Sequence, residues 1–298
     1  MDPWQAEVVY AAIARPFGYR FPRLSKAINY ACFMNENVTI EELRMLASLV
    51  ADRRGWDFSS LNVERDPVPW EYEEVVCALL LPEHRVLDIG TGGGEVFLRL
   101  APSLGEGVGV DIDPEMIRVA RQNTPIAMRD TLRFLTMSAE ELRFPDASFD
   151  AIINRQAPFV ATEVARLLRP SGVFVTQEVG DHNTQNIFDA LGWDSNGAYM
   201  RALLAEQDKP PTGALENVAA DLKRAGLTIV RRESYDVPYY FQDLDSLVFW
   251  LRAVPVPMNF DDDQNVRAIA TFITENQTSR GIRTNEHREL LVAAKPVG

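Results

Sequence analysis

The run Val86-Leu87-Asp88-Ile89-Gly90-Thr91-Gly92-Gly93-Gly94-Glu95 joins a carboxylate, an apolar strand pattern and alternating glycines within ten positions. Glycine at alternate positions lets a strand turn sharply into a helix and lets the main chain pass close under a ligand. The spacing is GxGxG, and Glu95 stands where a dinucleotide site needs its third glycine. A pyrophosphate is therefore a poor guest. A second apolar run, Gly107-Val108-Gly109-Val110-Asp111, ends in an acid suited to accept hydrogen bonds from two ribose hydroxyls. Asp88, the glycine turn and Asp111 together fit a nucleoside without phosphates, of which S-adenosylmethionine is the natural example.

Further motifs follow in order: VGVDIDPEMI at 108–117, MSAEELRFPDASFDAIINRQAP at 137–158 and ARLLRPSGVFVTQEVG at 165–180. With these, the chain resembles the class I S-adenosylmethionine-dependent methyltransferases from about Trp70 to the C-terminus. The resemblance implies that S-adenosylmethionine is consumed and S-adenosylhomocysteine released. It places Gly90, Thr91, Gly92 and Gly94 beneath the methionine and ribose, and Asp111 on the ribose. Ile112 would cover one face of the adenine, and Ser138-Ala139-Glu140 would edge it. Ser138 and Glu141 equally suit a capping box for a short helix. Asn154 and Arg155 would lie near the reactive methyl. The segment Asn154-Arg155-Gln156-Ala157-Pro158-Phe159 departs from the Asn/Asp-Pro-Pro-Tyr/Phe motif of enzymes that methylate exocyclic base amines, because Arg155 replaces the first proline.

In-line methyl transfer needs alignment and exclusion of water rather than a protein nucleophile. A general base matters only for an acceptor that must lose a proton, and Glu178 and His182 are the candidates for it. His84 and His287 read as structural. Trp193, Tyr199, Tyr239, Tyr240, Phe241, Phe249, Trp250 and Arg252 suit either an apolar acceptor pocket or core packing.

The elements that must position these groups alternate between strand and helix, which implies an α/β fold: a doubly wound, Rossmann-like sheet. The patterns predict strands over 85–89, 107–111, 132–136, 149–154, 172–179, 227–236 and 288–295, and helices beginning near Glu95, Pro114, Phe159 and Leu215. The resemblance makes this a seven-stranded sheet with an antiparallel last strand. Asp113 and Thr39 are the expected N-caps, Thr39 with Glu42 as a capping box, and Gly55 is the expected stop of that first helix. Residues 1–66 are expected to form a helical N-terminal extension, with Asp66-Pro67-Val68-Pro69 as linker. Residues 67–298 are expected to form the methyltransferase domain, with lid insertions near 180–213 and 238–263.

Composition narrows the partners. The net charge of -13 disfavours phosphate backbones as substrates, so nucleic acid is an unlikely partner and a small-molecule acceptor is expected. The cations Arg15, Arg20, Arg23 and Lys26 stand among aromatics, but residues 1–65 hold eight basic and eight acidic side chains, so this part is not net basic. Cys32 and Cys77 form no paired motif, so neither disulfide nor metal site is expected, and Cys77 reads as a core thiol. No signal-like or membrane-spanning run is present, and a cytoplasmic enzyme is expected. An RNA or protein methyltransferase and a noncatalytic cofactor-binding module are the alternatives. The sequence does not specify the oligomeric state.

Overall fold

The computed structural model describes residues 38–50, 56–193, 215–254, 256 and 258–297, within a compact unit that begins at Val38. Expectations for Cys32, for the basic and aromatic residues before Val38, for Gly55 and for Tyr199 fall outside the described residues.

The strands are β1 (Val63–Arg65), β2 (Arg85–Ile89), β3 (Glu106–Asp111), β4 (Leu132–Thr136), β5 (Phe149–Arg155), β6 (Leu168–Val179), β7 (Thr228–Phe241), β8 (Gln277–Thr278) and β9 (Gly281–Ala294). They form one sheet in the order β1-β7-β9-β6-β5-β2-β3-β4, with β8 paired to β9. β2 to β6 are parallel, and β9 runs antiparallel between β6 and β7. The seven expected strands are all present, and the antiparallel strand is the expected one. β1 and β8 raise the number to nine among the described residues.

The helices are α1 (Ile40–Leu49), α2 (Tyr72–Leu79), α3 (Glu95–Leu100), α4 (Pro114–Asn123), α5 (Ala161–Leu167), α6 (Gln185–Ala190), α7 (Leu215–Arg224), α8 (Leu244–Ala253) and α9 (Asp263–Asn276). Val75 and Val76 of α2, Phe97 and Leu100 of α3, and Ile117 and Ala120 of α4 pack on one sheet face with Val86, Ile153 and Val175. Val164 and Leu167 of α5 and Val218 and Leu222 of α7 cover the other face with Leu87, Ile152 and Phe174. This is the doubly wound arrangement that apolar runs buried on both faces require.

Several boundaries differ from the sequence reading. The expected extension over 1–66 does not end at a linker: Val63, Glu64 and Arg65 already pair with Phe241, Tyr240 and Tyr239. The Asp66 amide donates to Pro238 O, and Val68 packs into the core, so the two prolines follow a sheet strand rather than separate domains. The expected insertion at 238–263 begins inside β7, because Pro238–Phe241 pair with residues 282–285 of β9. α1 ends at Leu49 with Val50 as its C-cap. Its capping box forms as expected: Glu42 N donates to Thr39 Oγ1 at 3.2 Å and Thr39 N to Glu42 Oε2 at 2.9 Å. Cys77 is exposed on α2 rather than buried.

β6 stops at Val179, opposite Arg288, while β7 and β9 continue past it as a two-stranded ribbon beyond the carboxyl edge of the sheet. A third hydrophobic cluster grows on this ribbon. Leu43 and Ala47 of α1, Ile187 of α6, Leu247, Val248 and Leu251 of α8, and Val266, Ile269, Phe272 and Ile273 of α9 enclose Phe241 and Ile282. Phe241, Leu247 and Leu251 are thus core residues of a cap. Replacing Phe241, which is 0% exposed, by alanine should destabilise the protein by about 3–5 kcal/mol. Urea unfolding measures this, and a loss below about 1 kcal/mol would mean that the ribbon does not anchor the cap.

Candidate cofactor and acceptor site

In the order β4-β3-β2-β5-β6 the direction of strand succession reverses between β2 and β5, and open parallel sheets bind ligands at such a reversal, beyond the carboxyl ends. The glycine turn lies there. Gly90, Gly92 and Gly94 have φ of 74°, 56° and 76°, the left-handed region that L side chains rarely adopt. The amides of Gly90 and Thr91 both donate to Val110 O at 2.9 Å, and Asn123 Nδ2 donates to Gly93 O, so the turn is held by β3 and by the end of α4. A Cβ on Gly90 would fall 2.1 Å from the Cβ of Ala157, in the loop after β5. The two loops at the reversal therefore touch.

Asp111 ends β3. Its Oδ2 accepts the Gly92 amide at 2.9 Å and its Oδ1 accepts the Asp113 amide at 2.9 Å. Each oxygen retains a lone pair, so the carboxylate is oriented and can still accept from a ligand. Asp113 caps α4 as expected, accepting from Glu115 N at 2.8 Å. The neighbouring Ile112 is exposed, and Met137 N donates to Asp111 O, which brings the Ser138–Glu140 loop beside it. No helix forms at Ser138, so the capping-box alternative fails: Ser138 Oγ accepts Glu140 N at 3.2 Å in a turn.

Asp88 is buried, and burial is the main cause that lifts its carboxyl to about 7, with Asp111 and Glu95 adding repulsion. The Thr91 hydroxyl and Arg155 act in the opposite sense, although Thr91 lacks the geometry of a full hydrogen bond. Three carboxylates thus surround the turn. That field repels phosphate and favours a cation.

Asn154 is 0% exposed, and its side chain is engaged by partners within the protein. Nδ2 donates at 3.0 Å to Ile89 O and Ala157 O, spanning the two loops that meet at Gly90. These two carbonyls fix the amide orientation, so Oδ1 must accept. Oγ1 of Thr176 lies 2.9 Å from that oxygen and 3.0 Å from Oε1 of Glu178. A hydroxyl has one proton. Thr176 is the donor within reach of both acceptors. Burial is the main cause that lifts the Glu178 carboxyl to about 8, with the Thr176 hydrogen bond acting in the opposite sense and repulsion from Glu289 adding to the rise. The residue expected as a base is thereby raised above the ordinary carboxylate range.

His182 is not brought to this group by any described contact. Its ring stacks on His287 at 5.6 Å between centroids and meets Gln185, while its amide donates to His287 Nδ1. Arg155 ends β5 beside Asp88, Tyr72 and Arg288, whose ionisation it influences, and next to Gln156, a non-glycine residue at φ 56°. Sequence reasoning missed Tyr72, whose hydroxyl donates to Asn154 O at 3.0 Å, and Thr176, which donates to Asn154 Oδ1 at 2.9 Å, because buried hydrogen bonds between residues remote in the chain have no sequence signature.

Residues 86–172 match the family model of a methyltransferase domain. The chain is 41% identical over 100 residues to an uncharacterised methyltransferase, YcgJ, of Bacillus subtilis, which covers 31% of this chain and 40% of that protein. It is 30% identical over 156 residues to the 2-methyl-6-phytyl-1,4-hydroquinone methyltransferase of Synechocystis, covering 50% and 48%. It is 32% identical over 136 residues to the ubiquinone/menaquinone biosynthesis C-methyltransferase of Rickettsia massiliae, covering 41% and 53%. The crystal structure of the Bacillus subtilis YcgJ protein superposes with a TM-score of 0.52 at 22% identity, covering 76% of this chain and 99% of that one, which shows a shared fold. Residues 86–172 are thus similar to a methyltransferase domain, and the fold is shared with the YcgJ protein. The chain spans about half the length of the curated relatives it matches.

Glu178→Gln tests the raised carboxyl, since the amide keeps an oxygen that accepts from Thr176 and carries no charge at any pH. With its folded value raised from 4.5 to about 8, the Glu178 acid form stabilises fully below pH 4.5 and that contribution is lost as pH rises through about 8. The stability of Glu178→Gln relative to wild type should therefore increase between about pH 5 and pH 9 in urea unfolding. A difference independent of pH would refute the assignment.

Proposed function

We propose that this protein transfers the methyl group of S-adenosylmethionine to a small-molecule acceptor. The observation that carries the reading is the acidic glycine turn. Asp88, Glu95 and Asp111 gather around a main-chain cradle in which side chains at Gly90 and Gly92 would collide with Ala157 and Trp56. A ligand with neutral ribose hydroxyls and cationic ammonium and sulfonium groups fits that field, and a pyrophosphate does not. When bound, the cofactor supplies a methyl group activated by its sulfonium.

In this reading Asp111 holds the ribose, Ile112 and the Ser138–Glu140 loop border the adenine, and Asp88 faces the cationic end. Asn154 and Thr176 position the loop after β5, where Arg155 borders the acceptor. Glu178, raised to about 8, serves that arrangement. Catalysis then rests on alignment and exclusion of water rather than on a strong base. A small acceptor is supported by the net charge of -13, which opposes a phosphate backbone, and by relatives named for methylation of a hydroquinone and for ubiquinone/menaquinone biosynthesis. No helix among the described residues is long and apolar enough to cross a membrane.

The reading is tested by calorimetric titration with S-adenosylhomocysteine and with NAD. Micromolar or tighter binding of the first and none comparable of the second is expected. Asp111→Ala should weaken binding by about 1.5–3 kcal/mol for each hydrogen bond removed, as an upper guide. A folded Asp111→Ala protein with undiminished affinity would remove the ribose assignment. Because the ligand's ammonium favours ionised Asp88, which titrates at about 7, affinity should also rise from about pH 6 to pH 8. A flat profile would take Asp88 out of the site. Isotopically labelled methyl donor offered with a metabolite extract then identifies the acceptor.

A further inference from the structure

Arg155 and Gln177 are cross-strand partners at the carboxyl edge of the sheet, on β5 and β6. Partners in a ladder project to the same face, which here is the face of Ile153, Val175 and Leu290, packed against α2. Arg288 lies on that face one row further out, since Gln177 pairs with Leu290 and Val179 with Arg288. Arg155 is exposed, whereas Gln177 is only 4% exposed. Among the described residues no hydrogen bond reaches either side chain, and no ion pair reaches Arg155. Buried side-chain amides are nearly always hydrogen-bonded, so an unmatched one beside an unpaired guanidinium marks a place where a ligand completes the pairing.

The charges around this patch point to the sign of that ligand. Arg288 donates to Asn183 Oδ1 and meets Glu286 at 3.1 Å, and Glu286 also takes Arg65 at 2.7 Å. One carboxylate is thus shared by two arginines, and Arg155 has none. Burial lowers the Arg288 guanidinium and repulsion from Arg155 adds to that fall, while Glu286 opposes it. Asp88, which Arg155 also influences, faces the cationic end of the cofactor in the reading above. In a chain with 43 acids and 30 bases, this is a local excess of positive charge. It lies one and two strands from β2, about 5 and 10 Å, on the side away from Asp111 of β3. The patch therefore stands past the turn and the ribose, where an acceptor would enter. We propose that the methyl acceptor of this protein is a small carboxylate, held by the planar fork of Arg155 and the side-chain amide of Gln177. A guanidinium meets a carboxylate through two parallel hydrogen bonds, and the amide donates a third. The proposal rests on the methyl transfer inferred above and narrows its acceptor to one chemical class.

The test titrates the whole chain, saturated with S-adenosylhomocysteine, with benzoate, phenylacetate, cinnamate and octanoate and with their primary amides, read by ligand-observed NMR. The acids should bind and the amides should not. Arg155→Gln should weaken the acids at least about tenfold and Gln177→Leu about fivefold, as loss of charge-assisted hydrogen bonds implies. Calorimetric affinity of both variants for S-adenosylhomocysteine should stay within about threefold of wild type, and circular dichroism establishes that they are folded. Arg155 is exposed, so Arg155→Gln decides the matter if Gln177→Leu does not fold. Acids that bind no better than amides, or that bind Arg155→Gln undiminished, overturn the proposal. A tenfold loss of S-adenosylhomocysteine affinity in Arg155→Gln overturns it too, by putting the arginine on the cofactor's own carboxylate. Failure of wild type to bind S-adenosylhomocysteine overturns the cofactor reading as well, so the two failures are distinguishable.

Discussion

The side-chain amide of Asn154 is the constraint around which this site is arranged. It reaches Ile89 O at the end of β2 and Ala157 O after β5, and so pins together the two loops that flank the reversal of strand order. Gly90 can approach Ala157 only because it has no Cβ, and Asn154 holds that approach in place from below. Tyr72 secures the backbone of Asn154 from one sheet face and Thr176 its side chain from the other. A buried amide with every donor and acceptor used specifies one arrangement, because any slip leaves polar atoms unpaired away from water.

The electrostatics follow from the same packing. Glu178 and Asp88 stand on opposite faces of the sheet, and burial raises both. Glu178 is raised by burial and by Glu289, against a hydrogen bond from Thr176, whereas Asp88 is raised by burial beside Asp111 and Glu95. Each shift is set by neighbours rather than by residue type.

Much of this was legible in the sequence. The buried parallel strands announce themselves as short apolar runs, and β2 and β4 have the expected bounds. Asp111 and Asp113 were readable because their tasks are local, within a turn of chain. Other features depend on contacts remote in sequence. Pairing of Val63–Arg65 with β7 joins residues far apart in the chain, and the apparent linker prolines conceal it. The aromatic group of 239–251 finds its partners only once the ribbon exists: Phe241 lies inside the cap, while Phe249 meets Phe58 edge-on. Asn154 was legible as a strand-end residue at this place, and only its buried partners show that its side chain also holds the scaffold.

The placement of β9 also governs the order in which the molecule can be assembled. It separates β6 from β7 although it follows both in the chain, and the same strand passes from the sheet core into the cap. Until it inserts, β6 and β7 each present an open edge, and the apolar residues that later meet Phe241 and Ile282 have no floor. A chain in which this strand has not yet inserted therefore carries two unpaired edges, the state most prone to wrong association. Insertion of that one strand joins the sheet core to the ribbon that carries the cap.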